Sequence, residues 1–161
     1  MAVAVAAQVW PLLVFLGAFL AIALAWLARS GDSTPAEMAW WLFKAAALGL
    51  VGSFALHESA HVMVLKRIRT VTHIAIDRMA WRTSVLPQGT MTGRQIAGVA
   101  IAGPFFCVVV GAVLWASRLD RSLAWWYLAH GVFLLPFFGD GRSLRQGLRT
   151  PWRQPAKKDR G

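Results

Sequence analysis

Two histidines and a glutamate lie close together at residues 57–61, which read His-Glu-Ser-Ala-His. In an α-helix, positions four residues apart lie on one face, so His57 and His61 can bind one metal ion together. Glu58 then lies beside that ion, where a carboxylate can take a proton from a water molecule and pass it to a leaving amine. The segment therefore contains two potential zinc ligands and a potential general base.

The alternative to a metal site is a chance pair of surface histidines. The location of the segment argues against chance, because it interrupts a long apolar run at residues 36–65. Ionisable groups inside a membrane are costly unless they have partners or a function. We therefore interpret residues 57–61 as part of a metal site.

A catalytic zinc site needs a third protein ligand, and Asp140 is the best candidate. It follows Pro136 and lies between two glycines where the last apolar run ends. Counted from the charged end of their helix, His57 and His61 are expected at the same depth in the membrane as Asp140. The alternative is an aspartate that only forms a turn between the glycines.

Four apolar runs must position these residues, at residues 2–28, 36–65, 96–117 and 122–138. A membrane-spanning helix needs about 20 apolar residues, and the fourth run only just reaches this length. The chain is 57% hydrophobic and 15% charged, which is too apolar for an ordinary soluble domain. The first run resembles a signal peptide in part, but no basic residue precedes it and it is too long. We predict an all-α membrane protein with four transmembrane helices.

The segment between the second and third runs alternates with the period of a β-strand. Ile74 and Ile76 share one strand face, and Trp81, Thr83 and Val85 share another. This pattern predicts a short, β-hairpin-like loop. Its open edge could pair with an extended peptide, or the hairpin could simply cap the site.

Basic residues indicate the orientation of the chain. The net charge is +10, but the chain has no zinc finger or RNA-binding signature, so no nucleic-acid partner is expected. Lys and Arg concentrate in the loop after the second run and in the tail, which predicts that both termini are cytoplasmic in a multi-pass protein of a bacterial-type plasma membrane. The residues on that side are Lys66, Arg67, Arg69, Arg78, Arg82, Arg94, Arg142, Arg145, Arg149, Arg153, Lys157, Lys158 and Arg160, against Arg29, Arg118 and Arg121 on the other.

Three features, in this order, resemble the site-2 proteases, a family of intramembrane zinc metalloproteases. They are the segment at residues 57–61, Ala102-Gly103-Pro104 at the opening of the next span, and Pro136 followed by Asp140-Gly141 at the end of the last. The resemblance covers roughly residues 45–145. It suggests a minimal member, with a metalloprotease domain at residues 1–150, no accessory domain, and a basic, disordered cytoplasmic tail at residues 151–161.

The resemblance implies a zinc-dependent endopeptidase that cuts transmembrane segments of single-span membrane proteins within the lipid bilayer. His57, His61 and Asp140 would hold Zn2+, and Glu58 would be the catalytic base. Two alternatives stay open: a non-catalytic scaffold that binds such segments, and a metal transporter. Glu58 argues against a scaffold, and the clustering of ionisable groups at one depth argues against a transport path. The sequence indicates neither the identity of the substrate nor the oligomeric state.

The chain departs from the family pattern at two places. Cys107 stands where the family has an asparagine, and Phe133 and Leu134 stand near the position of another. We expect Cys107 to pack rather than bind metal. His130 precedes Asp140 by ten residues, which is about 15 Å along a straight helix, so it is expected to pack as well. Gly98, Gly103 and Gly111 are expected to permit close helix packing.

Overall fold

The computed structural model describes residues 2–79 and 82–150. Helices dominate these residues. They are α1 (Ala2–Ser30), α2 (Thr34–Lys44), α3 (Ser53–Leu65), α4 (Gly93–Ala116), α5 (Arg121–Leu128) and α6 (Gly139–Arg149). A π-helix at Ala45–Gly52 joins α2 to α3 without a break, and a 3-10 helix at Ala129–Leu134 follows α5. The predicted tail at residues 151–161 lies outside the described residues.

Within the described residues, three helices are long and apolar enough to cross a membrane: Val9–Ser30, the continuous Thr34–Leu65, and Gly93–Ala116. In the most apolar 18-residue stretch of each helix, only 11% to 33% of the residues are buried inside the protein. Large side chains on α1 point outward, with Phe15 68% and Ile22 69% exposed. An apolar exterior of this extent is compatible with a surface that faces lipid.

The fourth predicted run, residues 122–138, is not one straight helix. The 3-10 helix ends at Leu134, Leu135 is extended with ψ 145°, and Pro136 follows. Proline cannot continue a helix and favours an extended residue before it. The helical segment Arg121–Leu134 and α6 meet at this break at an angle of 41°. A fourth span therefore exists only if these two segments cross the membrane together as one bent pair.

A two-stranded antiparallel sheet lies between α3 and α4, as the alternation predicted. Strand β1 covers Val71–Met79 and β2 covers Arg82–Gly89, with Ile74 opposite Pro87 and a register shift near His73. Trp81, which contributed to the predicted second strand, lies outside the described residues. The sheet contacts α3, so it lies beside the helix that carries residues 57–61.

Small residues allow the helices to approach one another. Ala23, Ala36 and Ala39 form a buried cluster between α1 and α2. Gly111 of α4 lies against α5, because a Cβ placed on it would be 2.8 Å from the backbone nitrogen of Leu128. The same expectation was wrong for Gly98, where no described atom lies within 4 Å of such a Cβ.

Candidate metal centre

The structure brings His57, His61 and Asp140 together. The two histidines project from the same face of α3, and their Nε2 atoms are 3.1 Å apart. Asp140 reaches both from the first turn of α6. Its Oδ2 lies 3.0 Å from Nε2 of His57, and its Oδ1 lies 3.4 Å from Nε2 of His61. Residues that were predicted from distant parts of the sequence therefore form one cluster.

The geometry of this cluster fits a zinc ion. Tetrahedral zinc with bonds of ~2.0–2.1 Å separates its nitrogen and oxygen ligands by about 3.3 Å. The measured separations run from 3.0 to 3.4 Å. His57 and His61 are only 5% and 7% exposed, so bulk water does not compete strongly for their ring nitrogens. Two imidazoles and a carboxylate also make up the donor class that catalytic zinc sites use.

Gly103 lets the imidazole rings of His57 and His61 lie directly against the backbone of α4. A Cβ placed on this residue would lie 2.5 Å from Nε2 of His61 and 2.9 Å from Nε2 of His57. The added carbon would therefore stand next to the two nitrogens that face Asp140. Gly103 was expected to serve helix packing in general, and the structure gives it a more specific position against the imidazoles.

His61 is oriented by the backbone of α4. Its Nδ1 lies 2.7 Å from the carbonyl oxygen of Val99. Because a carbonyl only accepts hydrogen bonds, Nδ1 carries a proton, and in the neutral ring Nε2 then presents its lone pair. Metal-binding histidines commonly donate their other ring N–H in this way. Sequence reasoning missed Val99, because a backbone acceptor leaves no side-chain pattern.

Glu58 follows His57 directly on α3 and is partly buried. Its carboxylate lies within electrostatic range of His57, His61 and Asp140. The residue predicted as the general base is thus next to the cluster that fits a metal.

Cys107 and Phe133 contribute packing around the cluster. Cys107 is fully buried in α4, and its thiol donates a hydrogen bond to the carbonyl of Ser53 at 3.3 Å. The ring of Phe133 packs edge-on against His57, with centroids 5.4 Å apart. This chain therefore places a thiol and an aromatic ring beside His57.

His130 lies much nearer to the site than the sequence indicated. Its ring centroid is 5.2 Å from that of His57, and the residue is 3% exposed. The straight-helix distance was misleading because the 3-10 helix and the break at Pro136 separate His130 from Asp140. Among the described residues, His57, Cys107 and His130 form a second group whose ligand-type atoms lie within 4.8 Å of one another.

Compared with known proteins, the chain matches no family model, no curated protein and no solved structure. Its class is therefore defined by the fold and the cluster alone. The part of the chain that the structure describes is mostly helical, with three helices that could cross a membrane and with side chains placed so that they could bind a metal.

Proposed function

We propose that this protein is a zinc-dependent intramembrane endopeptidase, similar to the site-2 proteases, that cuts transmembrane segments of single-span membrane proteins. One observation carries the proposal: His57, His61 and Asp140 present three zinc-type donors at 3.0 to 3.4 Å from one another. The two histidines lie on a helix that is apolar enough to cross a membrane. Glu58 follows His57 on this helix and lies within electrostatic range of all three residues.

In the proposed reaction, three residues would hold the metal ion and a fourth would transfer the proton. When bound, zinc acts as a Lewis acid and lowers the pKa of a water molecule to near neutrality. His57 and His61 would hold it through Nε2, and Asp140 would offset its charge. The carboxylate of Glu58 would accept a proton from the attacking water molecule while the oxygen of that water forms a bond to the scissile carbonyl carbon. Glu58 would then pass this proton to the amide nitrogen as the C–N bond breaks.

We further propose four spans with both termini in the cytoplasm, in a plasma membrane of bacterial type. The bent pair of α5 and α6 would be the fourth span, and the site would lie in the cytoplasmic leaflet. The distribution of Lys and Arg supports this orientation, since the loop after α3 and the segment after Pro136 are rich in both. An edge of the β1–β2 sheet would be available to an unwound substrate segment.

A non-catalytic scaffold is the second candidate, and one observation favours it. Phe133 packs on His57 near the position where the family has an asparagine, so a polar contact to substrate would be missing. Glu58 favours the protease, because a scaffold has no use for a base. A metal transporter is less well supported, since the two groups of candidate ligands in the described residues share His57 and do not form a series of sites along a path.

The test is co-expression with candidate single-span proteins. We expect the wild type to cleave and Glu58→Gln to be inactive. The matched control is Glu37→Gln, because Glu37 is exposed in the first turn of α2 and should be dispensable. Full cleavage by Glu58→Gln would refute the mechanism, and capture of substrates without cleavage by the wild type would favour the scaffold.

A further inference from the structure

Two ring nitrogens near the proposed metal centre are buried and have no hydrogen-bond partner among the described residues. They are Nδ1 of His57 and Nε2 of His130. The rings that carry them pack against each other, with centroids 5.2 Å apart. Buried polar atoms are nearly always paired in folded proteins, so these two nitrogens call for an explanation.

The protonation of His130 follows from its other nitrogen. Nδ1 of His130 lies 3.0 Å from the carbonyl oxygen of Trp126. This nitrogen therefore carries the proton, and Nε2 of the neutral ring is left as an acceptor. This contact is local, because Trp126 lies near the end of α5, four residues before His130.

The protonation of His57 follows from the metal centre. Its Nε2 faces Asp140 and His61, and a nitrogen that binds zinc uses its lone pair. In the neutral ring the proton then belongs to Nδ1, which becomes a donor. The two unpartnered nitrogens are therefore complementary, one a donor and the other an acceptor.

We propose that His130 is a positioning residue for His57, and that its Nε2 accepts the hydrogen bond donated by Nδ1–H of His57 through one bridging water molecule. The inference rests on the proposed function, because it assumes that His57 binds zinc through Nε2. A ligand-type atom of His57 lies within 4.8 Å of one of His130, and a bridge through one water spans up to about 5.6 Å. Each histidine of the site then has its own acceptor, Val99 for His61 and His130 for His57.

A second metal ion bound by His57, Cys107 and His130 is the competing explanation of the same cluster. It is less favourable for two reasons. The thiol of Cys107 already donates to Ser53, and a thiol must lose its proton to bind a metal. His57 would also have to offer lone pairs on both nitrogens at once.

The experiment compares zinc affinity by chelator competition in the purified full-length protein. His130→Phe keeps an aromatic ring against Phe54 and Phe133 but removes the acceptor, whereas His130→Gln restores an acceptor. We expect His130→Phe to weaken zinc binding by about 10- to 100-fold and His130→Gln to recover most of the loss. Thermal unfolding of the zinc-free variants should not follow this order. Equal affinity in His130→Phe and wild type would overturn the positioning role and leave the proposed function intact.

Two further measurements test the protonation of the two histidines and the alternative of a second metal ion. Nitrogen-15 NMR of the zinc-loaded wild type should show protonated Nδ1 at His57 and unprotonated Nε2 at His130, which decides the case even if His130→Phe does not fold. A protonated Nε2 at His130 would overturn the proposal. So would a second zinc equivalent, or a thiolate-to-metal absorption band on cobalt substitution that disappears in Cys107→Ala. A wild type that binds no zinc would overturn the proposed function as well.

Discussion

Gly103 is the residue at which the smallest change should have the largest effect on metal binding. Its added Cβ would lie 2.5 Å from Nε2 of His61, and a close-packed interior cannot absorb an overlap of that size without moving α3 or α4. We expect Gly103→Ala to lose most of its zinc, measured by elemental analysis of the purified protein. Gly98→Ala on the same helix is the control, since Gly98 is exposed and borders open space. Normal zinc content in Gly103→Ala would mean that the ion binds elsewhere.

Glu58 should be separable from the metal ligands by its effect on zinc. A base that takes no part in binding can be replaced by its amide without loss of the ion. We therefore expect Glu58→Gln to retain wild-type zinc content and His57→Ala to lose it. Loss of zinc in Glu58→Gln, with the fold intact by circular dichroism, would make Glu58 a ligand and remove it from the role of base.

At the scale of elements, α3 was predictable and the path from α5 to α6 was only partly so. The spacing of His57 and His61 has meaning only on a helix, and the apolar run around them predicts that helix. The hairpin was predictable because Ile74 and Ile76 alternate with more polar residues. The break after Leu134 had a signal in Pro136, but its 41° bend depends on packing against α4. His130 was misplaced for that reason.

The π-helix at Ala45–Gly52 also had no sequence signal. Its residues are Ala, Leu, Gly and Val, which would serve an ordinary α-helix in a membrane equally well. Contacts with α5 accompany it: the hydroxyl of Tyr127 donates to the carbonyl of Leu48 at 3.1 Å, and Trp126 lies on Gly49. Such tertiary contacts cannot be inferred from the local pattern, although π-helical turns often occur next to functional sites.

An ion pair joins the start of α5 to the end of α2. Lys44 donates to Asp120, and both side chains are mostly buried. The ammonium of Lys44, then the hydroxyl of Ser122 and the backbone N–H of Leu123, hold the pKa of Asp120 well below its usual value of 3.8. A lowered pKa means that the pair stabilises the fold fully above pH 3.8 and that this contribution is lost as the pH falls through the folded-state pKa.

We expect Asp120→Asn to destabilise the protein by about 1 kcal/mol or less at neutral pH. Asparagine keeps one oxygen, which can still accept from the N–H of Leu123, and it loses both the charge and the oxygen that accepts from Lys44. The measurement is thermal unfolding in detergent, with a shift of about 2–4 °C for each kcal/mol. The difference from wild type should shrink as the pH is lowered below 3.8. A difference that does not change with pH would show that the charge of Asp120 contributes nothing.

At the scale of the whole molecule, the distribution of Lys and Arg predicts how the chain is oriented in the membrane. Reporters fused after Lys66 and at the C-terminus should both indicate the cytoplasm, and one fused at Ser33 should indicate the opposite side. The physical reason is the excess of Lys and Arg in the loop after α3. A reporter after Lys66 that indicates the outer side would invert the topology and move the site to the other leaflet.

Depth in the membrane can be predicted from the sequence, whereas contact cannot. Counting residues from Lys66 predicts that His57 and His61 lie in the same leaflet as Asp140. Such counting does not predict that the Nε2 atoms of the two histidines lie 3.0–3.4 Å from the carboxylate oxygens of Asp140. These short distances require α4 to pack between α3 and α6. The glycines of α4 and α6 make this packing possible, since a Cβ on Gly147 would lie 2.7 Å from the carbonyl oxygen of Gly93.

Zinc content in three proteins purified side by side without chelator tests the central claim most directly. We expect about one zinc per chain in the wild type, as three protein ligands and an open position require. Asp140→Ala should lose most of it, because the carboxylate is the only anionic member of the triad. Cys107→Ala should be unchanged. A wild type without zinc, or an Asp140→Ala that keeps its zinc while Cys107→Ala loses it, would contradict the account.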